Sequence, residues 1–264
     1  MSQNLTVSII QTPLHWEDKA ANLQMLEEKI GSIEKTELIV LPEMFSTGFS
    51  MQPELLAETM HGYTVQWMQR IAANKKIILT GSVIIEENGA YFNRLIWMLP
   101  NGQFGYYDKR HLFAYAGEDK HYSAGSKRLV ASVKGFRIHL QVCYDLRFPV
   151  WARQQVQEDS EAEYDVLIYV ANWPDRRSHA WRTLLQARAI ENQCYVIGVN
   201  RVGEDGNGIY HSGNSMVVDA MGDVLFEQAH EPVIHTITLS KDALNEVRGK
   251  LPFLKDRDSF RIDG

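Results

Sequence analysis

The sequence is poor in cysteine and proline, and it has no excess of glycine: its 264 residues include 2 cysteines, 8 prolines and 18 glycines. Cys143 and Cys194 are too few for a disulfide scaffold and too far apart for a C-x-x-C redox motif, so we expect free thiols. With only 18 glycines and 8 prolines, the chain is neither collagen-like nor linker-like, and the 45% of hydrophobic residues can form a core. The composition predicts a globular protein of one large domain or two fused halves.

Basic charge is also scarce, because 27 Lys and Arg residues face 33 Asp and Glu residues and give a formal net charge of −6. An acidic chain has no general electrostatic attraction to nucleic acid or to anionic membranes, so neither is expected as a partner. No apolar run approaches the roughly 20 residues needed to cross a bilayer. The N-terminal sequence MSQNLTVSII lacks the basic start of a secretory signal, and we expect a cytoplasmic protein.

Apolar runs bounded by turn residues alternate with segments of helical periodicity along the chain. The predicted strands cover residues 5–10, 38–41, 77–85, 92–99, 104–109, 138–144, 166–171, 195–199, 215–218 and 233–239. The predicted helices cover residues 23–33, 65–72, 151–156 and 179–192. Ser178 is the expected N-cap of the last helix, whose buried face would hold Trp181, Leu184, Leu185 and Ile190. Two β-α-β-α-β halves, each followed by antiparallel strands, predict an α/β fold with two mixed sheets.

Three segments place a reactive side chain where a predicted strand ends: LIVLPE at Glu43, YYDK at Lys109 and HLQVC at Cys143. Because ligands bind at the carboxyl ends of strands in α/β proteins, a carboxylate, an ammonium and a thiol are predicted in comparable positions. Taken singly, each has a structural alternative, namely a helix-start acid, a solvated charge and a small core residue. Cys143 is followed by polar residues and a turn, whereas Cys194 enters a strand and is expected to be structural.

Together these residues resemble the nitrilase superfamily of carbon–nitrogen hydrolases. The resemblance covers most of the chain and rests on LPEMFSTGF, YYDKRHLF, QVCYDLRFP and ARAIENQCYVIGVNRVG, taken in this order. It implies a nitrilase-like α-β-β-α sandwich, with helices outside two mixed sheets, that forms a single domain over residues 1–264. It also implies a catalytic triad of Glu43, Lys109 and Cys143, with the second glutamate of the family at Glu118.

Two segments, FAYAGEDKHYSAG and VANWPDRRSHAWRTLLQARAIEN, are similar to the omega-amidase branch of this superfamily in particular. This resemblance implies hydrolysis of the terminal amide of 2-oxoglutaramate, and of 2-oxosuccinamate, to the dicarboxylic keto acid and ammonia. It further implies a small-molecule amide substrate, a homodimer, and neither a cofactor nor a metal. Nitriles, N-carbamoyl amino acids and other aliphatic amides remain alternative substrates, because branches of a superfamily share the catalytic set and differ in pocket walls.

The reaction explains why these residue types are needed. An amide is a poor electrophile with a poor leaving group, so its hydrolysis requires a nucleophile, a proton donor and stabilisation of the oxyanion. We assign Cys143 as the nucleophile and Glu43 as the general base and acid. Lys109 and the backbone N–H of Tyr144 are expected to hold the oxyanion, and Glu118 to orient Lys109 or the attacking water.

A keto acid also carries a carboxylate, and Arg147 is the candidate to bind it because a guanidinium can hold a carboxylate through two hydrogen bonds. An internal salt bridge to Asp145 or to another acidic residue is the alternative. Three aromatic residues on neighbouring loops are expected to form walls of the pocket: Phe113, Tyr115 and Trp173. Three further arginines either attract an anion or form the solvated start of a helix: Arg176, Arg177 and Arg182.

Other classes of protein fit the sequence less well. The segment HEPVIH, from His230 to His235, is one residue too long for the zinc motif H-E-x-x-H and contains Pro232, which disrupts a helix. No histidine is marked as a papain-like partner of a cysteine. A catalytically silent interaction protein of the same fold remains the alternative of a different class, since sequence does not measure thiol reactivity.

Overall fold

The structure is a computed structural model that describes residues 3–155 and 162–262. Its strands are β1 Asn4–Gln11, β2 Leu38–Val40, β3 Ile78–Glu87, β4 Ala90–Met98, β5 Phe104–Asp108, β6 Val130–Val133, β7 Phe136–Val142, β8 Val166–Ala171, β9 Tyr195–Asn200, β10 Val202–Glu204, β11 Tyr210–Val218, β12 Val224–Ala229 and β13 Val233–Ser240. Its helices are α1 Lys19–Gly31, α2 Pro53–Leu56, α3 Tyr63–Lys75, α4 Glu118–His121, α5 Pro149–Ala152, α6 Ser178–Asn192 and α7 Lys241–Lys250.

The strands form two mixed sheets. The first has the order β13-β1-β2-β3-β4-β5, with β1, β2 and β3 parallel and the other pairs antiparallel. The second has the order β10-β11-β9-β8-β7-β6, with β12 paired to β11, and its parallel strands are β7, β8 and β9. Because the parallel strands are central in both sheets, their carboxyl ends lie at a common edge of each sheet.

Alternating side chains along the strands explain the layers. Val7 and Ile9 of β1 pack in one core cluster with residues of the second sheet, whereas Ile10 packs in another with α1 and α3. Successive residues of a strand point to opposite faces, so both faces of this sheet are covered. The predicted α-β-β-α arrangement, with two mixed sheets inside and helices outside, is confirmed.

Helix α6 covers the second sheet and shows two errors in the sequence prediction. Ser178 is not the N-cap, because it already has helical angles (φ −59°, ψ −36°) and a 3-10 turn, Asp175–Arg177, precedes it. Ile190 is 54% exposed while Trp181 and Leu185 are fully buried. At 100° per residue, nine positions after Trp181 is the opposite face of a helix. A Cβ on Gly198 of β9 would lie 2.5 Å from a Leu185 methyl, so this close packing requires glycine.

The last strand also differs from the expectation. The region 233–239 was expected to close the second half, yet β13 pairs antiparallel with β1 of the first sheet, with Val7 opposite Ile237. The chain therefore returns to its first half after building the second sheet. The short helix predicted for 151–156 is observed as α5 and ends at Ala152, and Val156 lies outside the described residues. Within the described ranges, no helix is long and apolar enough to cross a membrane.

Candidate active site

Glu43 lies in the turn that follows β2. The backbone N–H of Met44 donates to Ser82 Oγ (2.8 Å), and that of Phe45 donates to the Ser82 carbonyl (3.2 Å), so β3 holds the turn in place. A Cβ on Gly81 would lie 2.7 Å from the Phe45 ring, so the turn approaches β3 this closely because residue 81 is glycine. The turn directs Glu43 into the protein, where its side chain is fully buried.

The Glu43 carboxylate joins the two sheets. Its Oε1 accepts hydrogen bonds from Asn93 Nδ2 of β4 (2.8 Å) and from Lys109 Nζ (3.0 Å). Its Oε2 accepts from the backbone N–H of Asn172, the residue after β8 (2.8 Å). Asn172 Nδ2 also donates to the Glu43 carbonyl (2.6 Å). These donors fix the carboxylate, because each of its oxygens is held from a different sheet.

Lys109 follows β5 and is held between two carboxylates. Its Nζ donates to Glu43 Oε1 (3.0 Å) and to both oxygens of Glu118 (3.0 and 2.9 Å). Glu118 opens α4, and its Oε2 also accepts from the backbone N–H of Phe113 (2.6 Å). Lys109, Glu43 and Glu118 are all fully buried, so the ammonium and the two carboxylates compensate one another out of contact with bulk water.

Cys143 lies at the point where β7 turns away from the sheet. Its φ is +45°, a left-handed conformation that non-glycine residues adopt at a cost and that the surrounding structure must impose. The backbone N–H of Val142 donates to Asp145 Oδ2 (3.0 Å), which fixes the turn on both sides of the cysteine. The thiol lies close enough to Glu43, Lys109 and Glu118 for their charges to act on its pKa. The residue is 9% exposed and lines a cavity.

The charges of this cluster set its protonation. Burial raises the pKa of the Cys143 thiol well above its usual value, and the charge of Glu43 adds to the increase. Burial alone would lower the pKa of Lys109, yet the Glu118 and Glu43 carboxylates outweigh it and hold that pKa above its usual value. Burial likewise raises the pKa of Glu118. At neutral pH the site therefore holds an ammonium and a thiol, and the thiol needs a base before it can attack.

The cavity above the cluster has a volume of about 210 Å³. Its lining comprises Phe49, Phe113, Tyr115, Ala116, Cys143, Tyr144, Arg147, Asn172, Trp173, Pro174, Arg176, Arg177, Asp205, Ile209 and His211. Cys143 lines this cavity, and the buried Glu43, Lys109 and Glu118 lie behind it; we call these four residues the floor, and Arg147, Arg176 and Arg177 the mouth. The other lining residues that the sequence singled out are Phe113, Tyr115, Tyr144 and Trp173, although Tyr115 is 78% exposed and contributes only an edge.

Arg147 does not form the alternative salt bridge to Asp145. Its guanidinium instead lies 4.9 Å from the ring centre of Trp173. Among the residues described, no carboxylate pairs with Arg147. Arg176 and Arg177 also line the cavity, whereas Arg182 lies elsewhere and its Nη2 donates to Glu227 (2.9 Å). Arg176 and Arg182 are both exposed, as the solvated-helix interpretation expects, whereas Arg177 is half-buried beside the cavity.

Asp145 is an important residue that the sequence analysis treated only as a partner for Arg147. Besides Val142, it accepts hydrogen bonds from the Tyr107 hydroxyl (2.8 Å) and from the backbone N–H of His111 (2.9 Å). Tyr107 and His111 flank Lys109 in the chain. One buried carboxylate therefore joins the segment that carries the lysine to the turn that carries the cysteine.

Two asparagines were also missed. Asn172 follows the apolar run of β8, so the rule that found Glu43 at a strand end could have found it as well. Asn93 lies inside β4, where its Nδ2 donates to Glu43 (2.8 Å) and Glu118 (3.2 Å), and no local sequence pattern marks it.

Within the described residues, no group of three or more His, Cys, Asp or Glu side chains could hold a metal ion. His235 of the segment HEPVIH instead stacks on Phe226, with ring centres 3.7 Å apart.

An α-β-β-α sandwich with a carboxylate, an ammonium and a thiol clustered between its sheets defines a class of enzymes that hydrolyse carbon–nitrogen bonds. The family model described as "Carbon-nitrogen hydrolase" matches residues 6–247, and the chain belongs to this family. It is an enzyme, a carbon–nitrogen hydrolase.

Named relatives cover the chain almost completely. Omega-amidase YafV of Escherichia coli strain K12 is 42% identical over 98% of this chain and 98% of its own length. A 2-oxoglutaramate amidase of Bacillus subtilis is 31% identical over 95% of this chain and 96% of its own length. A CN-hydrolase superfamily protein of Xanthomonas campestris, solved with an arsenic adduct in its active site, is 42% identical with a TM-score of 0.96 over 98% of this chain and 99% of that chain.

Proposed function

We propose that this protein is an omega-amidase that hydrolyses the terminal amide of 2-oxoglutaramate, and of 2-oxosuccinamate, through a thioester on Cys143. One observation carries the proposal: a single cavity holds the Cys143 thiol at its floor and guanidinium groups without a carboxylate partner, in the part of the chain described, at its mouth. An amide at one end and a carboxylate at the other match these two regions. The relatives named omega-amidase and 2-oxoglutaramate amidase support it.

The first half of the reaction forms the thioester. Glu43, whose charge acts on the buried Cys143 thiol, removes the thiol proton while sulfur attacks the amide carbon. The negative charge that develops on the amide oxygen is stabilised by the Lys109 ammonium and by the backbone N–H of Tyr144. Glu43 then passes its proton to the amide nitrogen, the carbon–nitrogen bond breaks, and ammonia leaves.

The second half releases the acid. Glu43, again a carboxylate, takes a proton from a water that attacks the thioester carbon, and the carbon–sulfur bond breaks as Cys143 recovers a proton. Glu118 does not touch the substrate in this scheme. It holds the Lys109 ammonium through two hydrogen bonds (3.0 and 2.9 Å), so Lys109 keeps its place when the charge on Glu43 changes.

Recognition takes place at the mouth and on the aromatic walls. Arg147 binds the substrate carboxylate, and Phe113, Tyr115 and Trp173 enclose the carbon chain between the two ends. Nitriles and neutral aliphatic amides suit the same floor, but a neutral tail leaves the charged mouth without a partner. N-carbamoyl amino acids also carry a carboxylate, and the comparison of ammonia release distinguishes them from the 2-oxo acid amides. A catalytically silent protein is disfavoured because a buried ammonium between two carboxylates beside a strained cysteine is a costly arrangement for a purely structural role.

Three further features belong to the same proposal. Residues 1–264 form one carbon–nitrogen hydrolase domain, supported by the family match over 6–247. The protein is a homodimer, supported by four exposed apolar residues near the end of α6 and the β11–β12 turn: Ile190, Met221, Val224 and Leu225. It works in the cytoplasm, where the two free thiols, Cys143 and Cys194, stay reduced.

Ammonia release tests the proposal. We expect the wild-type protein to prefer 2-oxoglutaramate and 2-oxosuccinamate over glutamine, a nitrile and an N-carbamoyl amino acid, and the Cys143→Ala variant to release no ammonia from any of them. Cys194→Ala is the matched control and keeps its activity, because Cys194 is fully buried away from the cavity. Preference for the nitrile or for glutamine contradicts the substrate assignment, and activity in Cys143→Ala contradicts the mechanism.

A further inference from the structure

The mouth carries more positive charge than one carboxylate needs. Arg147, Arg176 and Arg177 line the cavity that holds Cys143, and none of them has a carboxylate partner within the described part of the chain. Asp205 is the acidic residue of this lining. Its Oδ1 is occupied, because it accepts from two backbone N–H groups of its own loop (2.8 and 3.0 Å). The lining thus presents three guanidinium groups against the one carboxylate of Asp205, and none of the three is paired with a carboxylate in the described part of the chain.

Aromatic rings hold two of these guanidinium groups in place. Arg147 lies over Trp173 (4.9 Å to the ring centre) and Arg177 lies over Phe113 (5.1 Å). The indole N–H of Trp173 also donates to the Arg177 carbonyl (2.8 Å), so one ring contacts both arginines. Stacking on a ring face leaves the N–H groups of a guanidinium free at its edge, which is the geometry that binds a carboxylate through two hydrogen bonds.

The same rings connect the mouth to the floor. The backbone N–H of Phe113 donates to Glu118 Oε2 (2.6 Å), and Trp173 directly follows Asn172, whose N–H donates to Glu43 Oε2 (2.8 Å). The separation between the guanidinium groups and the nucleophile is therefore set by short, hydrogen-bonded links. A substrate held at the mouth presents its far end to Cys143 at a defined chain length.

The electrostatics agree with this geometry. Burial lowers the pKa of Arg177, and the neighbouring charges of Arg176 and Arg147 lower it further. Like charges gathered in one place repel one another, and an anion placed between them removes that repulsion. An ammonium placed at the same point adds to it.

We propose that Arg147 and Arg177 form a two-arginine clamp for the carboxylate of a 2-oxo acid amide, and that the cationic mouth rejects the α-ammonium of the corresponding amino acids, glutamine and asparagine. The clamp rests on the proposed function and adds two points to it. Arg177 is a second specificity-determining residue, and Arg176 contributes charge without a ring behind it. The discrimination comes from repulsion as well as attraction.

The test compares substrates that differ at one end. The specificity constant kcat/KM is measured on 2-oxoglutaramate, on the neutral amide pentanamide and on glutamine, for the wild type and for Arg147→Gln, Arg177→Gln and Arg177→Lys. Losing a charged hydrogen-bonding partner lowers kcat/KM on 2-oxoglutaramate by about 10- to 100-fold, mainly through KM, and leaves pentanamide within about threefold. The decrease in kcat/KM is smaller for Arg177→Lys than for Arg177→Gln, because lysine keeps the positive charge but cannot form the bidentate hydrogen bonds of a guanidinium. Arg182→Gln, outside the cavity, is the control and changes neither rate.

A binding experiment makes the result independent of turnover. In the Cys143→Ala background, calorimetric titration with 2-oxoglutarate and with glutamate measures Kd directly. We expect 2-oxoglutarate to bind more tightly than glutamate, and the difference to shrink in Arg177→Gln.

The outcomes separate the two proposals. Equal losses on 2-oxoglutaramate and pentanamide, or an unchanged Kd for 2-oxoglutarate, overturn the clamp and leave the proposed function standing. Equal use of glutamine and 2-oxoglutaramate by the wild type overturns the discrimination. A wild type that hydrolyses other amides and not 2-oxoglutaramate overturns the proposed function itself.

Discussion

The floor and the mouth of the cavity treat charge in opposite ways. In the floor, the Lys109 ammonium is compensated by Glu43 and Glu118, and all three side chains are fully buried. In the mouth, the guanidinium groups share one side of the cavity with no carboxylate partner among the residues described. A buried charge must be compensated by an opposite charge within the fold. A partly exposed charge is stabilised by water and can remain unpaired until a ligand binds. Reaction and recognition can therefore be altered separately.

The largest expected effect is at the floor. Glu43→Gln removes the general base and acid, so we expect turnover to fall by about 100- to 10,000-fold on 2-oxoglutaramate and pentanamide alike. The substitution also removes a charge that raises the pKa of Cys143, and alkylation of this thiol by iodoacetamide near pH 8 should become faster. The two rates are measured by ammonia release and by mass spectrometry.

The control for alkylation is Cys143→Ala, in which fully buried Cys194 is expected to stay unmodified while the protein is folded. A loss of turnover confined to the carboxylated substrate would break the comparison, because the floor would then take part in recognition. Slower alkylation in Glu43→Gln would contradict the assigned effect of Glu43 on the thiol.

The second expected effect is on stability. Lys109→Met leaves two buried carboxylates facing each other without a cation, and we expect the free energy of unfolding to fall by about 3–5 kcal/mol near pH 8. The loss should be smaller near pH 5, because burial raises the pKa of Glu118 and its protonation relieves the repulsion. Urea denaturation at the two pH values measures both quantities.

The matched variant at the mouth is Arg176→Gln. The substitution removes the positive charge of Arg176, which repels Arg177 and lowers its pKa. The free energy of unfolding should therefore stay within about 0.5 kcal/mol of the wild type or increase slightly. Equal destabilisation by Lys109→Met and Arg176→Gln would show that the mouth is also internally compensated, and the comparison would fail.

The smallest expected effect concerns His211, which lines the cavity beside the mouth. Burial, and then the charge of Arg201, lowers its pKa to about 4, while Asp205 acts in the opposite direction. The folded protein therefore binds fewer protons than the unfolded chain below about pH 6.5, so this contribution to stability is present above that pH and is lost as the pH falls towards 4.

Between about pH 7 and pH 5, the wild type should lose about 1–2 kcal/mol more stability than His211→Gln. Urea denaturation at the two pH values measures the difference, and the exposed His121→Gln substitution is the control. Parallel pH profiles for the wild type and His211→Gln would disprove the prediction.

Much of the fold could be predicted because its central strands are unbroken apolar runs. β8, Val166–Ala171, has the predicted bounds, and its residues are fully buried. β6 and β12 were missed because their side chains are half-exposed and their pairing depends on neighbouring strands. Helix α7 was missed because its sequence is predominantly polar and it buries only Leu244, so no run of apolar residues marks it.

The candidate site shows the same division. Strand ends marked Glu43, Lys109 and Cys143, because a reactive group directly after an apolar run is visible within a few residues. Asn93 left no such sign, since its importance comes from a carboxylate 50 positions away in the chain. Asp145 was assigned the wrong partner, Arg147. It contacts the segment around Lys109 instead, and which of the two it meets depends on how the two sheets are placed.

The sequence by itself determined which segments become strands and which reactive groups stand at their ends, because side-chain periodicity is encoded by near neighbours. Only the tertiary structure decided that an ammonium lies 3.0 Å from a carboxylate 66 residues earlier in the chain, and that Arg147 and Arg177 stand on rings above one thiol. Distances of that kind follow from the packing of whole sheets, and no local pattern of residues contains them.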